Sequence, residues 1–194
     1  AKLGTSQVAA LSTGQLQALT SLQIGSLGTR SIAALTTDQF IWLGSTQIAG
    51  LNSDQMRAIV SSDLIVMNTD QLRSLSVSQI AALNQKQVSV MTSDQLQSLT
   101  TTQVQAINSQ SISGINSGQL ANMTIDQIAA LTTAQINLIK PIAWTGLRTD
   151  QLQALTTDQV VALSADQVSK LTTSQVQALR SEERRVGKEC RSRW

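Results

Sequence analysis

An apolar residue recurs every eight positions without a slip. Leu, Ile or Met fills all 23 positions of the series from Leu3 to Leu179, through Leu11, Ile59, Met67, Met123 and Ile139. We number the octad from this residue, slot 1. Slot 6 is equally apolar, as in Val8, Leu16, Phe40, Met56, Trp144 and Val176. Slot 5 is Gln in 18 of 22 repeats, the exceptions being Ser31, Asp63, Ser111 and Ala143. Slot 2 is mostly Thr, Ser, Asn or Gly, and slot 4 holds eight of the nine Asp residues. A register this strict marks a tandem array whose units lean on their neighbours.

The period rules out one long helix. At 100° per residue an apolar face would rotate by about 80° in each octad. A heptad coiled coil fails for the same reason. One short helix per octad fits better. Slot 2 supplies the N-cap, and Gln three residues later completes a capping box. Slot 3 is then the first helical position, where Pro141 falls and its missing N–H costs nothing. Slot 4 is the next, where Asp meets the positive end of the helix. Gly28, Asn52 and Asn108 in slot 2 also suit a left-handed residue closing the helix before. The helix is expected from slot 3 to the next slot 1, roughly 10 Å, and is too short to stand alone. Slots 6 and 1 point inward and slot 4 to water. Slots 5 and 8 form one flank and slots 3 and 7 the other, the surfaces that stacked coils press together.

Slot 8 sets the number of helices per turn. At 24-residue spacing one column reads Ala10, Ala34, Ala58, Ala82, Ala106, Ala130, Ala154 and Ala178. The other two columns are mixed: one runs from Ala18 through Trp42, Val66 and Val90, the other from Ser26 through Gly50 and Ser74. This predicts an all-α solenoid of very short helices, three per triangular coil. Its 22 repeats make about seven coils in a single repeat region over residues 1–180. At 8–10 Å between helices the rod is roughly 60–70 Å long. The all-Ala edge is expected to be the closest approach of successive coils. The alternative is a triangular β-solenoid, which Thr, Val and Ile would favour. Ala, Gln and Leu oppose it, and slot 1 would then point away from the face shared by slots 6 and 8.

Composition narrows the function. The chain has no His, no Tyr and a single Cys, so imidazole or phenol chemistry is excluded. No metal or cofactor site is expected, and no enzyme. Residues 1–180 hold nine Lys/Arg and nine Asp, so the body is neutral. The +2 net charge comes from the last fourteen residues, SEERRVGKECRSRW. A basic pI carried by a tail argues against nucleic-acid binding, and no apolar run approaches the roughly 20 residues of a membrane span. The slot-4 Asp set is read as helix-terminal charge, the Ser and Thr residues as caps, and Met56, Met67, Met91 and Met123 as core. The Gln series resembles the ladders of stacked cross-β chains, but capping is the more economical reading because it explains the offset from slot 2.

One side of the triangle differs from the others. Ile41, Trp42, Ile65, Val66, Val90, Leu138 and Val161 occupy slots 7 and 8 of the second side, where the other sides carry mostly Ala, Gln, Ser, Arg or Gly. The stripe is either packed beneath adjacent coils or a surface for lateral association.

The octads, for instance LTTDQVVAL from Leu155 to Leu163 and LTTAQINLI from Leu131, resemble repeat regions of very large bacterial surface or secreted proteins, often described as haemagglutinin-like or haem-utilisation-like. The resemblance covers residues 1–180 and implies an extracellular repeat of adhesin type. No ligand for haem stands in the body. The tail from Glu182 to Trp194 resembles a translated vector or adapter sequence, and is expected to be disordered or foreign to the protein. Neither end shows a cap, as expected of a fragment from a longer array that can associate end to end or laterally. The expected role is a structural spacer or stalk. The alternatives are a protein-binding module using the apolar stripe or, for the β form, an ice-binding solenoid.

Overall fold

The structure, a computed structural model, describes residues 3–179. They form twenty short α-helices and one 3-10 helix, Pro141–Gly146, with residues 173–179 helical as well. Each helix begins at slot 3. No strand occurs among the described residues, so the β-solenoid alternative falls, and the ice-binding reading with it.

Helices pack on their third neighbours along the chain. Three stacks result. Side one holds Thr5–Ala9, Thr29–Ala33, Ser53–Ala58, Val77–Ala81, Thr101–Ala106, Ile125–Ala130 and Thr149–Gln153. Side two holds Thr13–Gln17, Thr37–Trp42, Ser61–Ile65, Gln85–Val90, Ser109–Ile112, Thr133–Leu138 and Thr157–Val161. Side three holds Ser21–Gly25, Ser45–Ala49, Thr69–Arg73, Ser93–Ser98, Ser117–Asn122, Pro141–Gly146 and Ala165–Ser169. One coil is therefore three helices and 24 residues. Slots 6 and 1 fill the centre as one continuous apolar cluster from Val8 to Leu155. Burying each such side chain contributes about 1.5–3 kcal/mol, and this holds helices too short to persist alone.

The corner of the triangle is built differently from the sequence expectation. Most helices stop at slot 7 or 8, Ser109–Ile112 already at slot 6, and slot 1 then is extended, as in Ile59 with φ −60° and ψ 124°. The helix is closed by a tight bond from the slot-1 N–H to the slot-6 carbonyl, for example Leu19 to Leu16 at 3.1 Å. No described residue has positive φ. Slot 2 is not a left-handed residue, because it must hold the extended geometry of an N-cap, as Asn52 does at φ −85° and ψ 171°.

Gln in slot 5 has two partners. Its Oε1 accepts the N–H of slot 2, while the slot-2 side chain accepts the Gln N–H: Asn52 and Gln55 exchange these bonds at 2.8 and 2.9 Å. Its Nε2 donates to the preceding coil. Gln55 reaches the carbonyls of Ile24 and Leu27 at 2.9 and 2.8 Å, and Gln103 those of Leu72 and Leu75 at 3.0 and 2.8 Å. The spacings of 31 and 28 residues recur along the rod. The slot-1 carbonyl and the slot-2 N–H belong to one corner peptide. Where both repeats carry Gln in slot 5, two Gln side chains therefore grip the corner, its own and the one a coil later. Gln103, the Leu75–Ser76 peptide, Gln79, the Leu51–Asn52 peptide and Gln55 form one unbroken column. The capping reading holds, but the columns are not a cross-β ladder: each Gln amide bonds to backbone carbonyls of the preceding coil and not to another Gln.

Slot 8 rests on slot 3 of the coil before, as when the Ser74 hydroxyl donates to the Ser45 carbonyl at 3.1 Å. The closest approaches are not on the all-Ala edge. A Cβ on Gly50 would stand 2.5 Å from the Ser21 carbonyl oxygen, and Cβ atoms on Gly114 and Gly146 would collide with the Gln85 and Ser117 carbonyls. These glycines lie on sides two and three. On side one Ala fits because the backbones stand far enough apart for a methyl, and Ala82 is 5 % exposed.

Candidate interaction surface

The eight slot-4 Asp residues are exposed, as the first-turn reading requires. Asp54 pairs with Arg57 at 2.9 Å and Asp150 with Arg148 at 3.1 Å, both at the surface. The Arg148 hydrogen bond holds the Asp150 carboxyl below its ordinary value. Among the described residues no three His, Cys, Asp or Glu side chains gather as a metal cluster. No helix among them is long and apolar enough to cross a membrane. Cys190 and the Glu182 to Trp194 tail lie outside the described residues.

The side-two stripe divides in two. Val66 and Val90 in slot 8 are partly buried against the core. Ile41, Trp42, Ile65, Leu138 and Val161 are exposed, Trp42 by 55 % and Val161 by 80 %. Slot 7 lies on the outer flank of a short helix, and on this side Ile41, Ile65 and Val161 stay exposed there. Ser113 and Gly114 interrupt the stripe between Val90 and Leu138. Single apolar residues are exposed elsewhere too, notably Leu22 and Ile142 in slot 4 and Val77 and Ile125 in slot 3. Leu22 and Ile142 share side three but stand five coils apart, and Val77 and Ile125 share side one two coils apart, with Thr101 between them, so neither pair forms a continuous stripe.

Sequence reasoning passed over one buried charge. Asp63 stands in a Gln slot and is 1 % exposed. Its Oδ1 accepts from the Thr37 hydroxyl at 3.0 Å and the Ser62 hydroxyl at 3.4 Å. Its Oδ2 is buried without a partner. Burial pushes its carboxyl above the usual range, and the hydroxyl bonds from Thr37 and Ser62 pull it partly back. The signal was present: it is the one Asp outside slot 4.

The ALTTAQ repeat family matches residues 8–45, 56–93, 64–101 and 145–181, more than half of the chain. The chain belongs to the ALTTAQ repeat family. The six letters stand unaltered at Ala130 to Gln135. In structural terms the ALTTAQ motif spells the slot-8 spacer, the core Leu, the N-cap, the first helical residue, the open second position and the column Gln. No curated protein shows significant similarity to the chain.

Proposed function

We propose that this ALTTAQ array is a structural spacer in a larger bacterial surface or secreted protein, and that it performs no catalysis. One observation carries the reading. The polar residue types that recur with the octad are spent on building the rod: slot 2 caps, slot 5 caps and couples coils, and slot 4 faces water at a helix start. The phase runs without insertion from Leu3 to Leu179, which suits an element whose property is length. The resemblance of the octads to bacterial surface repeats supports an extracellular setting and an adhesive parent protein.

The exposed part of the stripe supports a second reading, lateral association through Ile41, Trp42, Ile65, Leu138 and Val161. Light scattering with small-angle X-ray scattering separates the two. The spacer reading expects a monomeric rod at all accessible concentrations. A dimer of the 194-residue chain that disappears in the Trp42→Ser, Ile65→Ser double variant would replace it with the association reading.

A further inference from the structure

The four repeats that lack Gln in slot 5 show what the column requires. Elsewhere the slot-5 side chain donates to the slot-1 carbonyl 28 residues earlier. Ser111 still does so, to Leu83 at 2.7 Å, and Ser31 does so to Leu3 at 3.0 Å. A side chain as short as Ser therefore reaches this carbonyl. The same register gives Asp63 the carbonyls of Leu35 and Ile32. Ile32 already accepts from the Leu35 N–H at 3.2 Å. An ionised carboxylate has only acceptors to offer there, whereas a neutral carboxyl has one O–H to donate. The Asp63 oxygen left over is the buried, unpartnered Oδ2.

We propose that Asp63 is a proton-operated joint in the rod: its neutral carboxyl donates to the Leu35 carbonyl and restores the bond to the preceding coil, and its ionisation breaks that bond and loosens this coil. The inference is independent of whether the array serves as a spacer or as an association surface. Asp63 sits in Ser61–Ile65, packed between Thr37–Trp42 and Gln85–Val90. The charged groups on those helices and on Thr29–Ala33 are Asp38, Lys86 and Arg30, and all three are exposed on the solvent side in slot 4. What shifts the carboxyl is burial, with only the Thr37 and Ser62 hydroxyls opposing it. The sign follows. The folded chain keeps a proton that the unfolded chain releases near pH 4. The stability this proton supplies is complete below that pH and is lost as pH rises through the folded-state value.

The test is urea unfolding of the 194-residue wild type, Asp63→Gln and Asp63→Ser between pH 4 and pH 8. Gln restores the consensus amide and Ser copies position 111, so neither titrates. The eight slot-4 carboxylates are common to all three proteins and cancel in the differences. The unfolding constant of the wild type relative to each variant should rise with pH, by up to about tenfold per unit while the folded group alone holds its proton. Hydrogen exchange at the residues around Leu35 and Asp63 should quicken over the same interval in the wild type only. Wild type and both variants running parallel across the range, or the wild type gaining on them as pH rises, would overturn the proposal.

Discussion

Residues 67–106 and residues 107–146 have the same octad and the same core, yet their helices differ. In the first segment every slot 5 is Gln, every slot 2 is Asn, Ser or Thr, and each helix opens with a reciprocal capping box. In the second, Asn108 caps one residue early and Ser109–Ile112 is the shortest helix, with four residues. Lys140 provides no side-chain cap, Ala143 no donor, and Pro141–Gly146 is wound as a 3-10 helix. The apolar positions remain filled throughout, with Ile112 and Trp144 at 0 % and 1 % exposed. The core thus fixes where the chain runs, and the Gln box fixes how well each helix is made. Trp144 Nε1 is buried without a partner in the weaker segment, a second polar cost in the same place.

The largest way to break this contrast is to remove a Gln from the well-made segment. Gln103→Met keeps the volume but orphans the Thr100 N–H and the Leu75 carbonyl and leaves Leu72 one bond short. With each buried unpaired group costing about 1–3 kcal/mol, a loss of about 3 kcal/mol is expected in urea unfolding. Ser111→Ala in the weaker segment removes one bond and should cost about 1 kcal/mol. Equal losses would mean that the columns contribute little. An effect at least as large as that of Ser111→Ala is expected from Gly146→Ala. Its new methyl would strike the Ser117 carbonyl, and overpacking of this kind costs about 1–3 kcal/mol. A gain, from the lower chain entropy of Ala, would show that the coils can separate there without penalty.

Much of this was legible in the sequence. The octad fixed the apolar faces, the N-cap frame and the outward slot 4, because each is a local consequence of helix geometry. The slot-8 Ala column revealed three helices per coil, since only a contact between coils makes residues 24 apart alike. The corner was not legible. Extended slot 1 and the early helix stop depend on the turn that closes the triangle, and no local propensity of Leu announces it. The second role of Gln was hidden for a similar reason: the cap explained its position fully, so its free Nε2 drew no attention. The same blind spot concealed Asp63, whose consequence appears only once the carbonyl that a Gln would have met is known. The stripe was legible as a pattern, but burial then divided it, because Val66 and Val90 turn toward the core while Ile41 and Val161 do not.

The claim beneath all of this is that three octads close one coil. Spin labels at Asp54→Cys and Asp126→Cys, in a Cys190→Ser background, test it directly by electron–electron distance measurement. Both positions are exposed in slot 4 of side one, 72 residues and three coils apart. At 8–10 Å per helix layer the account gives about 24–30 Å between the two backbones. A separation near 40 Å would mean two octads per coil, one near 20 Å would mean four, and either result would contradict it.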